Sequence, residues 1–136
     1  MTTTVSVGDR RELEVVDNLT RTQIVQYAGA SGDFNPIHTD SVYATQVAGY
    51  PSVFAHGMLT MAMTGRLLTD WLGDGVLTSF GGRFKAQVWP GDSLVAVATV
   101  VAVDQRDGRS NAQLEVETRN QAGEVVFEGT ASAWVD

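Results

Sequence analysis

Apolar and alternating runs dominate the C-terminal half of the chain. The stretch LVAVATVVAV, Leu94 to Val103, is apolar at all but one position, so neither side is left for water. As a strand it places Val95, Val97, Thr99, Val101 and Val103 on one face and Leu94, Ala96, Ala98, Val100 and Ala102 on the other. NAQLEVETRN alternates instead. Leu114, Val116 and Thr118 oppose Gln113, Glu115, Glu117 and Arg119, the signature of a half-buried strand. A further strand spans Val125 to Val135, and a first one lies within Asp9 to Val16. WPGD, DGRS and NQAGE supply turns between such runs.

Two segments follow a helical period. GMLTMAMTGRLLTDWLG, Gly57 to Gly73, aligns Met58, Met61, Ala62, Gly65, Leu68 and Leu72, with a second stripe of Leu59, Met63, Leu67 and Trp71. A helix apolar around most of its circumference must be covered on most sides. Gly73 suits the position after its last turn. The other helix is predicted over Thr20 to Tyr27. Thr20 and Gln23 have capping-box spacing, and Leu19 and Ile24 occupy the staple positions. Gly29, Gly32 and Pro36 are expected to stop regular structure, with a short helical turn near Ser41 to Ala44. One buried helix and about five mostly antiparallel strands define an α+β fold. The simplest packing wraps the sheet around the helix, which is the hot-dog architecture.

Length and composition narrow the function classes. The 136 residues fit a single domain, 1–136, and 43% hydrophobic against 18% charged residues allows an ordinary core. A formal charge of −7 argues against nucleic acid as a partner. The absence of cysteine excludes disulfides, thiol catalysis and Cys-based zinc sites. MTTTVSVGDRR has no apolar segment of signal-peptide length, and Leu94 to Val103 is too short for a membrane helix. These features lead us to expect a cytoplasmic protein with no membrane partner.

Two segments hold the candidate chemistry. In YAGASGDFNPIHTD, Asp33, Asn35, Pro36 and His38 directly follow the first helix. Proline fixes its own φ and drives Asn35 toward extended backbone, so the loop is rigid. Asp33 and His38 could converge on one water, with a carboxylate and an imidazole sharing its protons and Asn35 orienting either one. The same residues also suit an Asx-rich turn bonding only to its own backbone. Ser31 lacks a defensible triad partner and is kept as a supporting residue. In FAHGMLT, Gly57 opens the long helix. Its free N–H, backed by the helix dipole, could receive an oxygen that gains negative charge. Alternatively, Gly57 only permits close packing and His56 caps the helix. Two histidines with Asp33 and Asp40 match no standard metal-ligand spacing, so no metal is expected. Arg66, Arg83 and Lys85 are candidate phosphate contacts or solvated surface cations. The methionines of the long helix read as core.

YAGASGDFNPIHTD, with Ala44 six residues after His38, resembles the signature of the MaoC-like, (R)-specific enoyl-CoA hydratases, or hydratase 2. FAHGMLTMAMTG resembles the start of that family's central helix, and FGGRFKAQVWPGDSL its next strand and Pro-Gly-Asp turn. The chain is also similar to the catalytic subunit of mycobacterial-type (3R)-hydroxyacyl-ACP dehydratases. The resemblance implies a hot-dog fold and a dimer, either a homodimer or a heterodimer with a related subunit. It implies an acyl-CoA or acyl-ACP substrate on a phosphopantetheine arm, with no separate cofactor. It makes Asp33 and His38 catalytic, Asn35 the motif's asparagine and Gly57 the oxyanion-hole glycine, with Ser31 and His56 in support. Where some members carry a serine about two turns into the central helix, this chain has Thr64 and Gly65. The expected reaction is reversible hydration of trans-2-enoyl thioesters. A non-catalytic acyl-thioester-binding hot-dog subunit is the alternative of another class. A thioesterase is a weaker one, since an Asp-x-Asn-Pro-x-His loop is not expected of it.

Overall fold

In the computed structural model, which describes residues 3–136, five strands form one antiparallel sheet. The elements are β1 (Arg10–Val16), α1 (Arg21–Ser31), a π-helical turn (Tyr43–Val47), α2 (Gly57–Leu72), β2 (Leu77–Phe84), β3 (Leu94–Arg106), β4 (Arg109–Asn120) and β5 (Val125–Val135). The strand order is β1-β3-β4-β5-β2, and α2 contacts all five strands. This is the α+β hot-dog fold. Strands β3, β4 and β5 form a meander. Asp107 and Gly108, at φ 51° and 75°, build the tight turn between β3 and β4.

The core lies between α2 and the inner face of the sheet. Leu94, Ala96, Ala98 and Val100 of β3 and Leu114, Val116 and Thr118 of β4 point into it, as their alternation requires. The strict alternation assigned to β3 does not survive its whole length. A register shift between Val100 and Ala102 leaves Val101 exposed and turns Val103 toward the core. One extra residue in a strand reverses every later side chain.

The buried stripe of α2 also departs from expectation. Its most buried members are Thr60, Thr64, Leu67, Leu68 and Leu72, whereas Met58 and Ala62 are exposed. The two threonines can sit inside because their hydroxyls are used. Thr64 Oγ1 donates to Thr60 O and pairs with Thr118 Oγ1 of β4 at 2.6 Å.

Helix α1 runs four residues past its predicted end, through Gly29, and stops at Ser31. Gly32 ends it at φ 76°, a left-handed conformation that glycine adopts without Cβ strain, and its N–H bonds to Ala28 O. The capping box at the other end forms as predicted. A turn on the opposite sheet connection secures that end. Gly91 N–H donates to Leu19 O and Leu19 N–H to Asp92 O. Asp92 is buried and accepts from Trp89 N–H and Gln121 Nε2. The short turn expected near Ser41 is present and runs on through Val47, with Asp40 Oδ1 accepting from Val42 and Tyr43 N–H.

Candidate active site

The loop that leaves α1 is fixed by its own backbone. Asp33 N–H donates to Ser31 Oγ at 3.2 Å, and Asp33 Oδ1 accepts from Asn35 N–H at 3.2 Å. Asn35 Oδ1 accepts from Ile37 N–H, and His38 N–H donates to Asn35 O. The Asx-turn reading of this loop therefore holds, and the turn is what aims Asp33 and His38. Asn35 holds the loop through its amide oxygen, on Ile37 N–H, and through its backbone carbonyl, on His38 N–H. Pro36 O accepts from Asp40 N–H and closes the loop onto the next helical turn.

The segment before α2 meets this loop. His38 is 7% exposed, and its Nδ1 lies 2.6 Å from Phe54 O. A carbonyl only accepts, so Nδ1 carries the proton and neutral His38 presents a bare Nε2. His56 is 2% exposed, stacks on His38 at a centroid distance of 3.8 Å, and directs Nε2 at Asp33 O, 3.0 Å away. Its Nδ1 is buried without a partner. The expectation that His56 caps α2 is not met. It occupies the N-cap position, but its side chain makes no capping bond. Burial lowers the pKa of His38 below its usual value, and the neighbouring His56 lowers it further. The bond to Phe54 O and the Asp33 charge act the other way.

Gly57 follows His56 directly and is the first residue of α2. Its N–H has no helical acceptor and, among the described residues, no other partner. A Cβ built on Gly57 would lie 3.0 Å from two ring carbons of Phe84, so a larger residue here requires that ring to shift by a few tenths of an ångström. The space beside it is a cavity of about 290 Å³, lined in part by Phe54, Thr60, Phe84, Lys85 and Val126.

The other candidates separate. Lys85 lines this cavity and pairs with Glu128 at 3.5 Å. Arg66 lies on the exposed side of α2, paired with Asp70. Arg83 lines a broad groove on the outer face of the sheet, beside Val95 and Glu117. Neither arginine joins the His38–Gly57 region. Asp33, His38 and His56 do place one donor atom each within 4.8 Å of one another. The imidazole planes, however, are only 24° apart and stacked, so their in-plane lone pairs run side by side. A metal ion needs ligands that converge on one point. Sequence reasoning missed Phe54, whose carbonyl sets the His38 tautomer, and Phe84, whose ring covers Gly57. Neither has a local signature.

A carboxylate and two imidazoles therefore gather beside the free N–H that opens α2, on a hot-dog scaffold. The match of residues 3–124 to the MaoC like domain model places the chain in that family. The chain is 40% identical over 92 residues to 3-hydroxyacyl-thioester dehydratase Y of Mycobacterium tuberculosis, covering 65% of this chain and 32% of the relative. It is 27% identical over 135 residues to the peroxisomal enoyl-CoA hydratase 2 of Arabidopsis thaliana, covering 95% of this chain and 42% of that one. The chain thus spans less than half the length of these two curated relatives. Among solved structures, the (R)-hydratase of A. caviae involved in PHA biosynthesis superposes with a TM-score of 0.84 at 28% identity, covering 97% of this chain and 98% of that one. No helix among the described residues is long and apolar enough to cross a membrane.

Proposed function

We propose that this protein is a hydro-lyase that adds water reversibly to trans-2-enoyl thioesters, giving (3R)-3-hydroxyacyl thioesters. The observation that carries this reading is the joining of the Asp33–His38 loop to the α2 N-terminus. His56 stacks on His38, and one peptide bond further on lies the free N–H of Gly57. Similarity to relatives named as hydratases and dehydratases supports it.

Hydration needs a proton removed from water as its oxygen attacks Cβ, a proton delivered to Cα, and relief for the charge that moves onto the thioester oxygen. Asp33 Oδ2 has no protein partner among the described residues, and neutral His38 presents Nε2 without a proton. These two atoms hold one water and manage its protons, so both parts add to the same face. Gly57 N–H receives the enolate-like oxygen. One such donor is typically worth about 2.7–4 kcal/mol in the transition state. No electrons change hands overall, so the chemistry calls for no redox cofactor. The phosphopantetheine arm of CoA or of an acyl carrier protein approaches along the cavity that Lys85 lines.

A dimer with a second hot-dog subunit, a copy or a relative, belongs to this reading. The two sheet edges differ in character. Edge strand β1, RRELEVV, carries four charges in seven residues, whereas edge strand β2, LTSFGGRF, carries one in eight. Charge protects an edge from pairing, and β2 lacks that protection.

The test is loss of the conjugated thioester absorbance of crotonyl-CoA and of a longer trans-2-enoyl-CoA at neutral pH. Asp33→Asn and His38→Ala are each expected to lower turnover by about 10²–10⁴-fold with an unchanged far-UV spectrum. Near-wild-type turnover in either variant would remove the proposed site. A folded wild type that binds enoyl thioesters carried on CoA and on acyl carrier protein, and turns over neither, would favour the non-catalytic binding subunit.

A further inference from the structure

The mechanism above leaves one buried imidazole unused. His56 is almost fully enclosed and makes three kinds of contact. Its Nε2 is 3.0 Å from Asp33 O, its face lies against His38, and Tyr27 of α1 meets it edge-on at 4.9 Å. It also sits at the N-cap of α2 without capping it. A histidine spent only on capping would aim its nitrogen at the first helical N–H groups. This one aims across the gap at the other loop.

We infer that His56 is a positioning residue that locks the Asp33–His38 loop to the oxyanion end of α2 through one imidazole. The inference rests on the hydratase reading for its kinetic arm only. Its Nε2–H holds the backbone of Asp33, and its ring fixes the plane of His38. Its own peptide bond leads into Gly57, so the proton-handling groups and the oxyanion donor are set at a fixed spacing. The bare Nδ1 is what this tautomer leaves behind, a buried lone pair tolerated for the sake of the Nε2 bond. The ionisable groups that face His38 are His56, from the segment entering α2, and Asp33, from its own loop. The phenol-bearing Tyr27 meets His56 rather than His38.

The test uses two variants and a measurement on the wild type. His56→Gln keeps an N–H for Asp33 O but no aromatic ring. His56→Phe keeps the ring but no donor. Ring-nitrogen NMR on wild type is expected to find His56 protonated on Nε2 and bare on Nδ1. The opposite tautomer overturns the inference without any variant. In both variants kcat is expected to fall, up to the order of 10²-fold, while KM changes much less. The titration midpoint of His38, and with it the acid limb of the pH profile, is expected to move to higher pH because one of the two influences that lower it is removed with His56. Folded variants with unchanged kcat and an unchanged His38 titration would also overturn it. A wild type inactive on every enoyl thioester would instead sink the hydratase reading, and the NMR arm would still decide the role of His56.

Discussion

At the residue scale the proposed site rests on Asp33, His38 and the Gly57 N–H, and each can be addressed singly. Gly57 N–H cannot be removed by changing a side chain, except to proline. The backbone is ready for that change. His56 already has φ −60° and ψ 137°, the extended conformation that a following proline demands, and the first helical position favours proline. The Phe84 ring is what a Cβ there would meet. Gly57→Pro made in a Phe84→Ala chain is therefore expected to fold, and to lose about 10²–10³-fold in kcat against Phe84→Ala alone. For His38 the direction of the pKa shift fixes the pH response. Burial depresses its folded-state pKa below the unfolded value of about 6.5. Between those two values the unfolded chain binds the proton and the native one does not, so stability rises with pH across that window. The contribution is complete above about 6.5 and lost as pH falls through the folded value. Thermal melts are expected to drop on acidification below about 6.5, with a smaller drop in His38→Gln. Equal drops in both would remove His38 as the cause.

At the element scale the long helix is held to the sheet by hydroxyls as well as by methyls. Thr64→Val would strand the buried Thr118 hydroxyl of β4 and is expected to cost about 1–3 kcal/mol in urea unfolding. Adding Thr118→Val should recover most of the loss, since a buried apolar pair needs no partner. If the double variant is no better than the single, the pair is not what holds the two elements. This contact also marks the limit of what the sequence discloses. Periodicity located α2 and β5 to within a residue, and the capping box located the start of α1, because each is decided by neighbours within four positions. Which side of α2 faces inward depends on partners far along the chain, such as Thr118, 54 residues from Thr64. The bulge in β3 was equally hidden, since LVAVATVVAV is apolar on both faces and shows no break where the register slips. In the site, the loop residues were legible because an Asx turn is local. The Phe54 carbonyl and the Phe84 ring were not, because any residue has a carbonyl and any large side chain can cover a glycine.

At the scale of the whole molecule the unguarded edge predicts the assembly. Light scattering on the purified chain is expected to give about twice 14.6 kDa. A clean monomer would indicate that β2 awaits a different subunit, and co-purification with a related chain would then be the result to seek. The strand order has a second consequence, for how the chain acquires its shape. Arg10 of β1 pairs with Thr99, and Leu77 of β2 pairs with Ala133. Neither edge strand has a partner near it in the chain, and β2 closes only against β5, the last of the five strands in chain order. Until then the cavity beside Gly57 has no Val126 wall. So distant a set of pairings predicts refolding on the millisecond-to-second scale rather than in microseconds. During synthesis, the groups that would handle water are made before β5, and the cavity beside Gly57 is not walled until β5 is in place.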